Sequence, residues 1–119
     1  IVVRTNRLVD QYIKVLNEIG IKTQQIKRSQ PDNLSQPGVR VATMHRVKGL
    51  QFEYVILAGI NDNYLPLQSA LKNASDKAAY NAIVNAERSL IHVSATRAKR
   101  CVIVSYYGEP SSLIPDVKV

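Results

Sequence analysis

The stretch Tyr54-Val55-Ile56-Leu57-Ala58 is apolar from end to end, with no polar residue at alternate positions. A strand wetted on one face alternates, so an unbroken run fits a parallel strand covered on both faces. Parallel neighbours need crossovers, and the flanking sequence offers parts for them. Ile1 to Val3 is a short β-branched run, and Thr5-Asn6 supplies N-cap chemistry for a helix in which Leu8, Tyr12, Leu16 and Ile19 recur at helical spacing. Gly20 is placed to stop that helix in a left-handed turn. Ile21 to Ile26 reads as a weaker strand, residues 28 to 38 as a polar loop with two prolines, and Val39 to Met44 as another strand. Beyond a second surface excursion over 61 to 73, Asp76 can cap a long helix running to about Lys99 on the stripe Ala79, Ile83, Ala86, Leu90 and Val93. Cys101 to Tyr107 is the last expected strand. Strands alternating with helices predict an α/β fold with a mostly parallel sheet.

The 119 residues suffice for one domain. We set its expected bounds at 1–108, with 109–119 as a proline-containing tail. Ile1 opens inside an apolar run without an initiator Met, which reads as a piece of something larger. Sixteen Lys and Arg against nine Asp and Glu give a formal charge of +7, which favours a polyanionic partner, nucleic acid before an anionic membrane surface. No apolar run approaches the ~18 residues of a membrane span. A cytoplasmic protein without a membrane partner is the simplest expectation. Cys101 is the single cysteine and is expected to pack as a small apolar residue; with His45 and His92 far apart, no zinc-ligand spacing exists and no metal site is expected.

Two features exceed what a fold needs. TMHRVKGLQF, residues 43 to 52, groups His45, Arg46 and Lys48 before Gly49, at the expected carboxyl end of a strand where α/β proteins gather ligands. Its donors suit phosphate oxygens, and the glycine permits close backbone approach; a solvated basic turn would look the same. Arg97 lies within about 40° of Ala86, Leu90 and Val93 on a helical wheel, an odd place for a cation on the stripe meant for the sheet. Either it complements the helix dipole, or it reaches a phosphate held mainly by another domain. No P-loop, dinucleotide fingerprint or nucleophile elbow is present, so the chain carries no complete active site of its own.

VRVATMHRVKGLQFEYVILAG, 39 to 59, resembles motif V of the UvrD/Rep/PcrA group of superfamily 1 DNA helicases, and ERSLIHVSATRAKR, 87 to 100, resembles motif VI. VVRTNRLVD near the start is similar to the group's Tyr-Arg-Thr-Asn segment. The resemblance implies a three-layer RecA-like fold, the second of two such domains, lacking its own P-loop. It implies an ATP-dependent helicase or translocase, 3′ to 5′ on single-stranded DNA and associated with DNA repair, with ATP and Mg²⁺ bound mainly by the N-terminal RecA-like domain of the same polypeptide. This domain by itself would be inactive. Arg97 would be the arginine finger at the γ-phosphate, Gly49 and Gln51 would lie beside the nucleotide, and Arg4, Asn6, Thr43, His45 and Lys48 would face single-stranded DNA. Gln51 replaces the group's usual Glu, Ser89 its second Arg, and His92 its Tyr. The loop 28–38 stands where larger members insert an accessory domain. Two alternatives remain: a nucleic-acid-binding or interaction module with this fold and no motor activity, and the helicase part of a helicase–nuclease.

Overall fold

The computed structural model describes residues 1–28 and 32–115. Its elements are β1 (Val2–Val3), α1 (Asn6–Glu18), β2 (Thr23–Gln25), β3 (Val39–Thr43), β4 (Phe52–Leu57), α2 (Gln68–Lys72), α3 (Lys77–Ala95) and β5 (Ala98–Val104). The five strands form one sheet in the order β2-β3-β1-β4-β5, every pair parallel. The expected α/β architecture is therefore present. The loop 28–38 is described only in part, because residues 29–31 lie outside the described set.

Strand period sorts the core into two layers, since successive residues point to opposite faces. Val3, Val41 and Ala58 pack with Leu8, Val9, Tyr12, Ile13 and Leu16 of α1 on one face. Val2, Ala42, Val55 and Leu57 pack on the other with Val84, Leu90, Ile91 and Ala95 of α3. The helix caps follow the sequence. Thr5 Oγ1 accepts from Leu8 N at 3.3 Å, and Asp76 Oδ1 accepts from Ala79 N at 2.8 Å. Gly20, at φ +85°, ends α1 in a Schellman turn: Ile21 N donates to Leu16 O and Gly20 N to Asn17 O.

Several expectations need correcting. The last helix stops at Ala95, not near Lys99, and β5 opens at Ala98, three residues before Cys101. The backbone leaves the helix because Arg97 O is taken by Phe52 N of β4 at 2.8 Å, which starts the ladder. The buried face of α3 is also rotated from the expected stripe: Ala86 is exposed, whereas Glu87 and Ser94 are buried. Cys101 is exposed on an edge strand and does not pack. Tyr54, at 62% exposure, likewise breaks the expected double covering of β4. Within the excursion 61–73 lies the short helix α2. Residues set apart as a tail pack on the body, with Leu113 in the α3-side core and Ser111 Oγ donating to Leu65 O.

Glu87 is 4% exposed, in the middle of the face that α3 turns inward. Arg4, at the end of β1, meets it in a two-pronged ion pair, Nε to Oε2 at 2.9 Å and Nη2 to Oε1 at 2.6 Å. Leu67 N adds a longer donation to Oε2 at 3.4 Å. Removing one member of a buried pair strands the other charge, whereas replacing both with apolar groups is far milder. Glu87→Ala should therefore destabilise the domain by about 3 kcal/mol in urea unfolding. The double replacement Arg4→Met with Glu87→Leu should recover most of that loss; equal losses in single and double variants would show that the pair is not what holds the layers.

Candidate nucleotide and nucleic-acid surfaces

The strand register fixes where the candidate residues lie along the sheet. Val3 is level with Thr43, and Val2 with both Ala42 and Leu57. Phe52, which pairs with Ala98, precedes Leu57 by five residues, hence by about 17 Å along the strand. Arg4, Asn6 and Thr43 thus occupy the carboxyl end of the sheet. Gln51 and Arg97 occupy the amino end.

Residues 44–51 connect these two ends. Met44 and Val47 are buried in the α3-side core and Leu50 packs against it, so the segment descends that face of the sheet as a crossover. Between these anchors His45, Arg46, Lys48 and Gly49 are exposed. Arg46 N donates to Thr43 O and Leu50 N to Val47 O, each at 3.0 Å, which folds the segment into successive turns. Gly49 has φ +83°, and a Cβ there would meet nothing within 4 Å. Its glycine answers a backbone need, because side-chain-bearing residues reach that region only with strain. The cationic corner expected at the end of β3 is accordingly a strap running from one end of the sheet to the other.

The predicted residues differ in what they have free. Asn6, His45, Lys48 and Gln51 are exposed. Thr43 is largely covered, at 7% exposure. Arg4 has two guanidinium nitrogens committed to Glu87. Arg97 is half-buried and sits one residue beyond the C-cap Thr96, where its Nε donates to Val93 O and its Nη2 to Thr96 Oγ1, both at 3.2 Å. In this conformation it satisfies a carbonyl at the helix end, the dipole-complementing role that the sequence allows. At the amino end of β5, Lys99 and Arg100 approach the exposed Glu53 at 3.9 and 3.0 Å; such surface pairs contribute little.

Sequence reasoning missed two residues that shape these surfaces. Glu87 is one, although its partner Arg4 had been singled out. Asn61 is the other: buried at 2%, it accepts through Oδ1 from Tyr107 N at 3.0 Å and through its carbonyl from Tyr64 N and Leu65 N. It thereby fixes the loops after β4 and β5 at the carboxyl end. Tyr107 is 70% exposed there, and its phenol is held above the usual range by a hydrogen bond to Tyr64 and by the charges of Tyr64 and Tyr12. Among the described residues no group of three or more His, Cys, Asp and Glu could hold a metal ion, and no helix is long and apolar enough to cross a membrane.

Comparison with known proteins agrees with this fold. The profile of the UvrD-like helicase C-terminal domain matches residues 3–109. The ATP-dependent DNA helicase PcrA of Staphylococcus aureus is 29% identical over 87 residues, covering 68% of this chain and 11% of PcrA. The Bacillus subtilis protein YjcD, an ATP-dependent DNA helicase by inference only, is 28% identical over 102 residues, covering 86% of this chain and 13% of its own length. The chain thus spans only a small part of these relatives. A solved structure, the C-terminal domain of a possible DNA helicase from Lactobacillus plantarum WCFS1, superposes with a TM-score of 0.66 over 94% of this chain and 57% of its own, at 21% identity, a likeness of fold. With the profile spanning nearly all of β1 to β5, the chain belongs to the UvrD-like helicase C-terminal domain family.

Proposed function

We propose that this domain is the second motor half of an ATP-dependent DNA helicase or translocase moving 3′ to 5′ on single-stranded DNA. The observation that supports it best is the strap 44–51, one short segment with exposed cations that runs from the end of the sheet bearing Asn6 to the end bearing Arg97. A ligand gripped near His45 and Lys48 and another seated near Gly49, Gln51 and Arg97 would then share a single piece of backbone. Movement at either would strain the other, which is what coupling of hydrolysis to stepping requires.

ATP with Mg²⁺ would be held mainly by a preceding RecA-like domain, in keeping with the lack of a P-loop in this sequence. The present chain contributes charge and polar edges. Gln51, exposed just before β4, offers an amide to the ribose. Arg97, released from Val93 O, would reach the γ-phosphate across the domain cleft and stabilise charge that spreads over its oxygens as the bond breaks. On the DNA side, His45, Lys48 and Asn6 are exposed donors, expected to touch phosphate and sugar with little reading of sequence. Thr43 would act from the covered end of β3, and Arg4 would serve the DNA side by anchoring the loop that presents Asn6.

In the full-length protein, Arg97→Ala should reduce DNA-stimulated ATP hydrolysis by about 10³-fold or more while sparing ATP and single-strand binding. Near-normal turnover in a steady-state assay would remove the finger assignment. Lys48→Ala should weaken single-strand binding evenly across sequences and lower the slope of log K against log salt by about one. A slope unchanged across a salt titration would return Lys48 to the status of ordinary solvated surface.

A further inference from the structure

The end of α3 is closed by two backbone hydrogen bonds and by three side-chain ones that link Val93, Thr96 and Arg97. Thr96 N donates to His92 O at 3.0 Å and Arg97 N to Ser94 O at 3.2 Å, so among the described hydrogen bonds Val93 O receives no backbone N–H. Two side chains serve it instead: the Thr96 hydroxyl at 2.8 Å and Arg97 Nε at 3.2 Å. Arg97 Nη2 in turn donates to Thr96 Oγ1 at 3.2 Å. The hydroxyl is the shorter and stronger donor to the carbonyl, and the arginine is the second one.

This order of partners bears on how an arginine could leave the helix end. A carbonyl at a helix terminus must find a donor, and losing a sole donor costs more than losing a spare one. Because Thr96 already satisfies Val93 O, the guanidinium can swing away without orphaning it. We propose that Thr96 is a positioning residue which keeps Arg97 releasable: its hydroxyl caps Val93 O in both positions of the arginine and orients the parked guanidinium through Nη2. The inference rests on the finger reading of Arg97 given above. It adds a residue that touches neither nucleotide nor DNA, and a reason for a hydroxyl at this position.

The test uses the full-length protein carrying Thr96→Val and Thr96→Ser. With valine, the parked guanidinium loses its Nη2 acceptor but becomes the only side-chain donor to Val93 O among the described residues, and orphaning that carbonyl is the larger cost, so release is penalised. DNA-stimulated kcat should then fall about 2- to 10-fold, the effect of one hydrogen bond, with KM for ATP unchanged. Affinity for ADP with aluminium fluoride, a mimic of the transferring phosphoryl group, should fall by a similar factor while affinity for ADP alone holds, a split that general destabilisation would not produce. Thr96→Ser keeps the hydroxyl and should restore both. Unchanged or increased turnover in Thr96→Val, or equal damage in Thr96→Ser, would overturn the proposal. If Arg97→Ala itself turns over normally, the finger reading fails first; if Arg97→Ala is inactive and Thr96→Val is normal, only the role of Thr96 fails.

Discussion

The ion pair between Arg4 and Glu87 joins the two parts of the molecule that have most reason to stay in register. Arg4 leaves the central strand β1 where the chain turns into α1, and Glu87 sits at the middle of α3 on the opposite layer. An ionised carboxylate at 4% exposure is tolerable only because a planar guanidinium meets both of its oxygens. A hydrophobic contact in that place would let α3 slide or rotate by a fraction of a turn. A forked hydrogen-bonded pair does not, since its geometry is directional. Leu67 N, bonded to the same carboxylate, draws the loop before α2 into the arrangement.

With α3 fixed at its centre, its end is fixed as well. Eight positions separate Glu87 from Ala95, the last residue of α3, so at 1.5 Å per residue the helix carries the position of Arg4 about 12 Å toward the amino end of the sheet. The strap 44–51 runs beside it, anchored by Met44 and Val47 in the core that α3 covers. Two connections between the sheet ends, one a stiff helix and one a turn-rich segment, thus lie against each other on one face. The opposite face is crossed by α1, which links the carboxyl end of β1 to the amino end of β2 and packs through Leu8, Val9 and their neighbours.

Much of this was legible because strand and cap signals are local. The apolar run at 54–58, the N-caps Thr5 and Asp76, and the stop at Gly20 each depend on residues within a few positions, and each appears where expected. The strap was legible as a cationic corner because glycine and clustered charge are visible in any sequence. Its course down the sheet was not, since that depends on β1 lying between β3 and β4, a long-range arrangement. The exposed faces of Tyr54 and Cys101 were missed for a related reason: an apolar residue in a strand gives no sign of whether a neighbouring element covers it.

The instructive error concerns α3. Reading apolar residues as the buried stripe put Ala86 and Val93 inward and made Arg97 look misplaced, yet the face that packs carries Glu87 and Ser94 at its centre, and Ser94 Oγ is buried with no partner among the described residues. Hydrophobic periodicity assumes that polar residues face water; a helix whose buried face is organised around an ion pair defeats that assumption. Arg97 is not on the helix at all, because Phe52 N claims its carbonyl for the sheet and the backbone must leave the helix to supply it. Its closeness to Val93 survives only as a side-chain bond back to the helix end. The wheel therefore singled out Arg97 for a reason that does not hold: what sets it apart is the competition between a helix and a strand for residues 96 and 97, which leaves a guanidinium at the sheet's amino end held by two long hydrogen bonds, to Val93 O and Thr96 Oγ1.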